Sequence, residues 1–261
     1  MARSDLTHPA HGLLRPITET ASVLLCDNPG PMTLEGTNTW VLRGRGSDEI
    51  VVVDPGPDDA AHIERVAALG RIALVLISHR HGDHTDGIDR LVDATGAVVR
   101  SVGSGYLRGR GGALSDGEVI DAAGLRITVL ATPGHTADSL CFLLDDVLTA
   151  DTVLGRGTTV IDHEDGRLGD YLESLRRLAG LGPRMMLPGH GPEAGDLPAV
   201  AQMYLAHREA RLDQVRGALR TLGEDAGARQ IVEYVYADVD EKLWDAAESS
   251  VRAQLAYLRG D

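Results

Sequence analysis

Aromatic residues are scarce in this chain. Phe, Trp and Tyr together make up 3% of its 261 residues, and there is a single Phe. Proteins that hold single-stranded nucleic acid commonly stack its bases on aromatic side chains. Few such platforms are available here, and the core must be built mostly from Val, Leu, Ile and Ala.

Positive charge is also in short supply. The chain has 25 Lys and Arg against 39 Asp and Glu, which gives a formal net charge of −14. A surface of this charge does not attract polyphosphates as a whole, and no double-stranded DNA partner is expected. A bound metal cluster could still reverse the sign of the field within a cleft.

Cysteines and long apolar runs are few. Cys26 and Cys141 each lie in a short apolar run without a CxxC spacing, which predicts buried free thiols in a reducing compartment. No segment approaches the length of a membrane span, and the first twenty residues lack the apolar core of a signal peptide. We therefore expect a cytoplasmic protein with no membrane partner.

Short apolar runs recur along the chain, and each ends in Gly, Pro, Asp or His. The predicted strands lie within residues 39–44, 49–57, 71–78, 97–102, 125–135, 139–144, 146–151 and 184–191. Amphipathic helices are predicted over 58–70, 86–96 and 168–182. This alternation is typical of an α/β protein.

The pattern changes near residue 197 to helical segments alone. A long amphipathic helix is followed by the helical patterns of "ARQIVEYVY" and "EKLWDAAESSVRAQLAYL". We predict a catalytic domain over residues 1–196 and a small all-helical appendage over 197–261. Acidic residues interleave with the arginines of the long helix, so a solvated face is expected for Arg208, Arg211, Arg216 and Arg220.

The segment "ISHRHGDHTDG" (77–87) places three of the ten histidines and a carboxylate within six residues: His79, His81, Asp83 and His84. Neutral imidazoles and carboxylates are common metal ligands, whereas a folded surface gains little from crowding them together. A polar loop with accidental histidines is the alternative. The density of the cluster favours a metal site.

Three more candidate ligands follow other predicted strands: His135 in "TPGH", Asp151 in "LTAD" and His190 in "LPGHG". Seven ligands exceed the needs of one catalytic zinc ion but suit two metals that share a bridging carboxylate and a bridging water. Such a centre generates hydroxide near neutral pH and stabilises an oxyanion, which is the chemistry of hydrolysis. Two Zn²⁺ ions are expected, with Mn or Fe as alternatives. Asp54 is either a turn residue or a hydrogen-bond partner of a ligating imidazole.

The motifs "SHRHGDHTDG", "TPGHT", "TAD" and "PGHG" resemble the successive motifs of the metallo-β-lactamase superfamily, over roughly residues 17–195. The resemblance implies a four-layer αβ/βα sandwich with the metals at one edge of its two sheets. It also implies that His79, His81 and His135 hold one metal and that Asp83, His84 and His190 hold the other. Asp151 would bridge the metals, and Asp83 would help to orient or deprotonate the attacking hydroxide.

The five other histidines receive no ligand role: His8, His11, His62, His163 and His207. We expect His62, which falls within a predicted helix, to lie on the surface.

Three further segments resemble one branch of the superfamily: "EGTNTWVL" (35–42), residues 150–178 and "YLAHREARLDQV" (204–215). That branch contains animal mitochondrial endoribonucleases and acyl-carrier-protein thioesterases of polyketide pathways, and the resemblance implies a winged-helix-like C-terminal appendage. Little sequence follows the third predicted helix to form a wing. The segment from Val200 to Asp261 carries eight basic and eleven acidic residues, which argues against a grip on nucleic acid.

These observations leave several hydrolase substrates open. We predict first the hydrolysis of phosphodiesters in single-stranded RNA, and as the alternative a thioesterase or small-ester hydrolase acting on acyl-CoA, acyl-carrier or glutathione thioesters. A β-lactamase and a non-catalytic metal-binding module rank lower. The candidate substrate contacts are Arg80, Arg156, Thr158 and Thr159, although a capping or turn role for the two threonines is equally open.

Overall fold

Two β-sheets pack face to face at the centre of the molecule. A computed structural model describes residues 8–162, 164–237 and 240–260. The first sheet comprises β1 (Leu14–Pro16), β2 (Ala21–Leu25), β3 (Asn38–Leu42), β4 (Glu49–Val53), β5 (Arg71–Leu76) and β6 (Val99–Arg100). The second comprises β7 (Val119–Ala122), β8 (Leu125–Ala131), β9 (Leu140–Leu143), β10 (Val147–Ala150) and β11 (Met186–Pro188).

Seven α-helices accompany the sheets within the described residues. They are α1 (Ala60–Ala67), α2 (Gly82–Thr85), α3 (Ile88–Thr95), α4 (Leu168–Ala179), α5 (Leu197–Leu222), α6 (Ala228–Val235) and α7 (Trp244–Arg259). In the first sheet β1 to β4 run antiparallel, and β4, β5 and β6 run parallel through helical crossovers. In the second sheet β7 to β10 run antiparallel, and β11 lies parallel to β10.

Three apolar layers hold this arrangement together. Between the sheets, the core contains Trp40, Leu76 and Phe142. The outer face of the first sheet packs against α1 and α3, and the outer face of the second packs against α4 and the first half of α5. The order helix, sheet, sheet, helix confirms the predicted four-layer sandwich.

The predicted elements differ from the observed ones mainly at their ends. The helix predicted over 58–70 spans Ala60–Ala67, because the Asp59 side chain caps it by accepting a hydrogen bond from the His62 N–H at 2.7 Å. Strands β1, β2 and β7 were not predicted. β1 and β7 each have a single fully buried side chain and therefore no apolar run, whereas the apolar run of β2 was not assigned to a strand.

The C-terminal helices form an all-helical appendage among the described residues. The first half of α5 packs on α4 through Ala201 and Tyr204. Its second half packs with α6 and α7 through Val215, Ile231 and Val251. The predicted division at residues 196 and 197 coincides with the start of α5, but this helix belongs to both cores. The division into two domains therefore stays a prediction.

Two expectations for single residues are wrong. His62 is 2% exposed, and its ring Nε2 lies 2.9 Å from Thr39 Oγ1, because α1 turns this side chain toward the first sheet. Burial lowers the pKa of His62 to about 4, so the ring is neutral. Arg208 is 3% exposed rather than solvated, because Tyr171 of α4 and the loop after β10 cover it.

The remaining expectations concern thiols, the membrane and one histidine. Cys26 and Cys141 are free and buried, as predicted, and burial raises the pKa of their thiols to about 12 and about 11. Across the described ranges, no helix combines the length and apolar character needed to cross a bilayer. His163 lies outside the described residues. The predicted cytoplasmic location stays a prediction.

Candidate metal centre

All seven candidate ligands lie at the same edge of the sandwich. His79 and His81 follow β5, and Asp83 and His84 lie on the short helix α2. His135, Asp151 and His190 follow the carboxyl ends of β8, β10 and β11. Because both sheets present these strand ends to the same side, residues more than a hundred positions apart in the sequence meet there.

The first cluster consists of His79, His81 and His135. His81 Nδ1 lies 3.1 Å from His79 Nε2 and 3.0 Å from His135 Nε2. His79 and His135 are buried, whereas His81 is half-buried. Three ring nitrogens therefore converge on one point within the described part of the structure.

The second cluster consists of Asp83, His84 and His190. His190 Nε2 lies 3.1 Å from Asp83 Oδ2 and 3.2 Å from His84 Nε2. Asp83 Oδ2 lies 3.4 Å from His84 Nε2. This grouping is the one that the family resemblance implies for the second metal.

Asp151 lies between the two clusters. Its Oδ2 is 3.8 Å from His135 Nε2 and 3.3 Å from His190 Nε2, and its Oδ1 is 3.6 Å from His84 Nε2. Oδ1 is buried without a hydrogen-bond partner among the described residues. A buried anionic oxygen without a partner is costly, so this position calls for a cation.

The backbone around Asp151 is shaped to bring its carboxylate into the site. Ala150 has a φ of +44°, which is uncommon for a residue with a side chain. Gly189 faces the carboxylate closely: a Cβ at this position would lie 2.3 Å from Asp151 Oδ1. Only glycine fits at residue 189 without displacing Asp151.

The outer nitrogens of three rings are fixed by acceptors. His135 Nδ1 faces the Val160 carbonyl at 2.6 Å, and His190 Nδ1 faces the Gly36 carbonyl at 3.0 Å. Because a carbonyl only accepts, these Nδ1 atoms carry the hydrogen. The Asp54 carboxylate fixes His84 in the same way, as described below. In the neutral ring, each Nε2 then points a lone pair into the site.

The Nδ1 atom of His79 also carries the hydrogen, and here the acceptor is the Ser78 hydroxyl. The Ser78 hydroxyl donates to Asp54 Oδ2 at 2.6 Å and accepts from His79 Nδ1 at 2.9 Å. Burial lowers the pKa of His79 well below its usual range and that of His135 to about 4. Both rings are therefore neutral, and the inward Nε2 atom of each is unprotonated.

This donor set fits a pair of metal ions. Zinc bonds of about 2.0–2.1 Å at tetrahedral angles place neighbouring ligand atoms roughly 3.4 Å apart. The distances between ligand atoms in this site are close to that value. They range from 3.0 Å, between His81 Nδ1 and His135 Nε2, to 4.0 Å, between His79 Nε2 and Asp151 Oδ2. Converging lone pairs repel one another unless a cation lies between them.

Protons and metals compete for the second cluster. Burial acts to lower the pKa of His190, but the charge of Asp151 and hydrogen bonds to Asp151 and Asp83 raise it to about 9. Burial acts to raise the pKa of Asp83, but the His190 hydrogen bond and the charges of His84 and His190 lower it to about 2. Without metal, this cluster is a hydrogen-bonded ion pair.

Burial acts to lower the pKa of His84, but Asp151 and Asp54 raise it well above its usual range, so His84 acts in the same direction as His190. Metal affinity should therefore rise as the pH rises toward about 9, the pKa that these contacts give His190. Below that pH the metal-free ring holds a proton that an incoming ion must expel, so affinity falls as pH falls. We expect about a tenfold change per pH unit for each proton displaced. Competition with a chelator of known affinity measures it, and a pH-independent affinity would contradict this account of the second cluster.

Asp54 is hydrogen-bonded to both clusters: directly to His84 of the second and through Ser78 to His79 of the first. Its Oδ2 accepts hydrogen bonds from His84 Nδ1 at 2.9 Å and from the Ser78 hydroxyl, and its Oδ1 accepts from the Ser78 N–H at 2.8 Å. The residue is 2% exposed and has a φ of +54°, so it occupies a tight turn and also touches a candidate ligand. Asp54 is therefore both a turn residue and a hydrogen-bond partner of a candidate metal ligand, the two interpretations that the sequence left open.

Replacing Asp54 with Ala should weaken metal binding by about 10- to 100-fold, because His84 loses its Nδ1 acceptor and Ser78, the partner of His79, loses the carboxylate that orients it. Zinc affinity measured by chelator competition tests this expectation. Asp58→Ala is the matched control, because Asp58 is exposed and contacts only Arg90 among the ion pairs described. Equal affinities for the two variants would contradict the positioning role.

The four candidate substrate contacts have different surroundings. Arg80 forms ion pairs with Asp162 and Asp165. Arg156 pairs with Glu35 and, like Thr158, lines a cavity beside the metal centre. Thr159 is buried, and its hydroxyl donates to the Asp151 carbonyl at 2.8 Å. Their roles toward a substrate stay predictions.

The cavity has a volume of about 340 Å³ and extends from His135 and Asp151 to the C-terminal helices. Apolar side chains form much of its wall: Met32, Leu34, Leu154, Val160, Leu243 and Ala246. This volume lies in the range of small-molecule sites. Three arginines, Arg156, Arg208 and Arg211, also line this mainly apolar pocket.

Several residues of the site were not identified from the sequence. Asn38 Nδ2 donates to the carbonyls of Pro188 and Gly191, and Trp40 Nε1 donates to the Pro188 carbonyl, so β3 holds the loop that carries His190. His207 and Arg208 line the cavity. The segments "EGTNTWVL" and "YLAHREARLDQV", which carry the resemblance to one branch, contain all four residues and were the available signal.

Comparisons with known proteins bear on both parts of the chain. Residues 32–190 match the metallo-β-lactamase superfamily, and residues 228–261 match the β-lactamase-associated winged helix domain. Among curated relatives, "Lactamase-like protein adaB" of Aspergillus niger is 37% identical over 78% of this chain and 65% of its own length. "Atrochrysone carboxyl ACP thioesterase" of Aspergillus fumigatus is 34% identical over 82% of this chain and 71% of its own length. The match thus spans less than two thirds of the first of these relatives.

Solved structures share the fold at low sequence identity. A β-lactamase domain protein from Burkholderia ambifaria aligns over 98% of this chain and 91% of its own, with a TM-score of 0.81 and 22% identity. A metallo-β-lactamase family protein from Thermus thermophilus aligns over 93% of this chain and 94% of its own, with a TM-score of 0.77 and 22% identity. At this identity the alignments establish the fold alone.

Proposed function

The chain belongs to the metallo-β-lactamase superfamily, and from that premise we propose that it is a metal-dependent hydrolase of acyl thioesters. The observation that carries this proposal is the apolar cavity that opens beside His135 and Asp151. An acyl group can bury its surface there while its thioester carbonyl lies at the metal centre. The name of the Aspergillus fumigatus relative supports the same reaction class.

The residues that would hold the metals are those of the two clusters, with Asp151 shared between them. We propose zinc, because imidazole and carboxylate ligands suit it, with manganese and iron as the alternatives. When bound, the ions supply Lewis acidity: they acidify water near neutral pH and polarise the carbonyl oxygen.

The chain's own residues supply positioning. Asp83 is ionised and half-buried, so its carboxylate can accept a hydrogen bond from water and hold it against the acyl carbon. The apolar wall binds the acyl group and keeps bulk water away from it. We further propose that residues 197–261 act as part of this wall, because Leu243 and Ala246 line the cavity.

Hydrolysis of single-stranded RNA, the first prediction from the sequence, finds less support in the geometry. The cavity wall is mainly apolar, and Arg208, one of its arginines, is only 3% exposed. The C-terminal segment is acidic overall. RNA is therefore the comparison substrate of the test rather than the proposed one.

The test combines a substrate panel with a variant that fills the cavity. Zinc-loaded protein is assayed on a short and a bulky aromatic acyl thioester and on labelled single-stranded RNA. Ala246→Trp should lower kcat/KM for the bulky thioester by at least about tenfold while sparing the short one, because the indole takes the space of the acyl group. Ala210→Trp, at an exposed position on α5, is the matched control.

Three outcomes would oppose the proposal. The proposal would be wrong if no thioester were hydrolysed faster than in buffer. It would also be wrong if the protein cleaved RNA and hydrolysed no thioester. An equal loss for short and bulky thioesters in Ala246→Trp would show that the cavity does not hold the acyl group. Asp83→Ala serves as the inactive reference for every substrate in the panel.

A further inference from the structure

Arg208 is a buried cation whose guanidinium has no carboxylate partner in the part of the chain that the structure describes. Its side chain lies on α5 and is 3% exposed. Among the residues that the structure describes, no carboxylate oxygen forms an ion pair with its guanidinium, whereas the exposed Arg216 of the same helix pairs with Asp213 at 2.7 Å. A guanidinium stays charged in proteins, and burying an unpaired charge is costly. Such a group needs an anion from elsewhere.

The guanidinium is held in a fixed orientation. Nη2 donates to the Thr159 carbonyl, and Cζ lies 5.1 Å from the centre of the Tyr171 ring. Nε is buried and has no hydrogen-bond partner within the described residues. Arg208 lines the cavity, so a rigid cation borders the space where the proposed acyl group would bind.

A second polar group lies beside it. His207 also lines the cavity, and its Nδ1 is buried without a partner in the described ranges. Burial, with the charges of Arg208 and Arg211, lowers the pKa of His207, so its ring is neutral and can donate one hydrogen bond. Arg211 lies on the same wall and stacks on Tyr236 at 4.6 Å. Arg208 and Arg211 therefore form a positive region on the cavity wall, separate from Arg156, which also lines the cavity and pairs with Glu35.

We propose that Arg208 binds a carboxylate carried by the acyl group of the substrate, with His207 as a second donor. This inference rests on the proposed function, because it adds to that function a preference for acyl groups with an anionic end. Arg208 would then be a specificity-determining residue rather than a part of the hydrolytic machinery.

The position of Arg208 favours an anion on the acyl side of the thioester. Thr159 connects it to the metal centre: Arg208 donates to the Thr159 carbonyl, and the Thr159 hydroxyl donates to the Asp151 carbonyl at 2.8 Å. The phosphate of a pantetheine arm lies many bonds from the sulfur, on the opposite side of the scissile bond. A phosphate would have to fold back into the apolar cavity to reach this guanidinium.

Binding of small acids tests the site without turnover. Succinate, glutarate and adipate are each titrated by calorimetry against their monomethyl esters, using zinc-loaded protein. One carboxylate remains in every ligand, so the difference within a pair reports the second one. At one chain length or more, the diacid should bind at least about tenfold more tightly, as expected for a charge-assisted hydrogen bond. Arg208→Gln should remove this difference, and Arg216→Gln should retain it.

Hydrolysis distinguishes the two sources of an anion. Monothioesters of the best diacid and of its methyl ester are assayed on N-acetylcysteamine, which has no phosphate, and on coenzyme A. The acid should exceed the ester in kcat/KM by about tenfold on both carriers, and Arg208→Gln should abolish this preference by lowering kcat/KM for the acid more than for the ester. A carrier preference for coenzyme A that Arg208→Gln abolishes would identify phosphate as the anion and overturn the proposal.

Each of the remaining outcomes either supports or overturns the proposed anion site. Equal binding of diacids and monoesters, or a difference that survives in Arg208→Gln, would overturn the proposal. If no thioester is hydrolysed but the diacid preference depends on Arg208, the proposed function fails and the anion site stands. If Arg208→Gln does not fold, thermal shifts of the unaltered protein decide: at one chain length or more, the diacid must stabilise it more than its ester does.

Discussion

Asp151→Asn should lower kcat/KM for acyl thioesters on the order of 1000-fold and should reduce the metal content of the protein. Asp151 reaches both clusters, with oxygens 3.3 Å from His190 Nε2 and 3.8 Å from His135 Nε2. An amide removes the negative charge that a shared ligand must supply. Metal assistance is worth several kcal/mol, and each 1.4 kcal/mol corresponds to about a factor of ten in rate.

Asp145→Asn is the matched control for this substitution. Asp145 precedes the opposite end of the same strand, β10, and is exposed. Elemental analysis after saturation with zinc should give about two ions per chain for the control and fewer for Asp151→Asn. A variant at position 151 that retained both full metal content and full activity would show that this carboxylate is not a shared ligand.

Leu76→Ala should have the opposite effect: it should lower the free energy of unfolding and leave the metal content of the folded protein unchanged. Leu76 is the last residue of β5, is 0% exposed and packs between the two sheets. Truncating a buried leucine removes its transfer free energy and leaves a cavity, at a cost of about 2–5 kcal/mol in the free energy of unfolding. A typical domain has only about 5–15 kcal/mol in total.

Denaturation by urea, with metal present at a fixed concentration, measures this loss. Leu222→Ala is the control, because Leu222 is 42% exposed at the end of α5 and its removal should change the free energy of unfolding by less than about 0.5 kcal/mol. The Leu76→Ala protein that remains folded should bind as much zinc as the unaltered protein. An unchanged unfolding midpoint would contradict the placement of Leu76 in the central core.

The sequence predicted the candidate ligands because each follows a strand whose apolar run is easily recognised. His135 follows β8, Asp151 follows β10, and His190 follows β11, so the strand ends define both the positions and the common edge. The division of ligands into two clusters came from the resemblance to the superfamily. The outer hydrogen bonds that set the ring tautomers, such as that from His190 to Gly36, depend on tertiary contacts that no local pattern records.

Single-residue burial was harder to predict. His62 and Arg208 both lie on amphipathic helices and were expected to face solvent, but each helix packs on more than one neighbour. Both residues lie on the buried stripe itself: His62 is one turn before Val66, and Arg208 lies between Tyr204 and Leu212. Helical periodicity is compatible with burial at both positions, but the polar residue types favoured solvent.

The substrate could not be chosen from the sequence for a similar reason. The cavity is formed by Met32 and Leu34 after β2, by the loop after β10, and by Leu243 and Ala246 near the C-terminus. Only the folded chain brings these distant segments together. Their apolar character shifts the preference from RNA, the first prediction, to the thioester alternative.

The most direct test of this account is a crystal structure of the zinc-loaded protein with anomalous diffraction measured at the zinc absorption edge. The account predicts two anomalous peaks per chain. One should lie among His79, His81 and His135 and the other among Asp83, His84 and His190, with Asp151 in contact with both. A single peak, no peak, or peaks away from these side chains would contradict it.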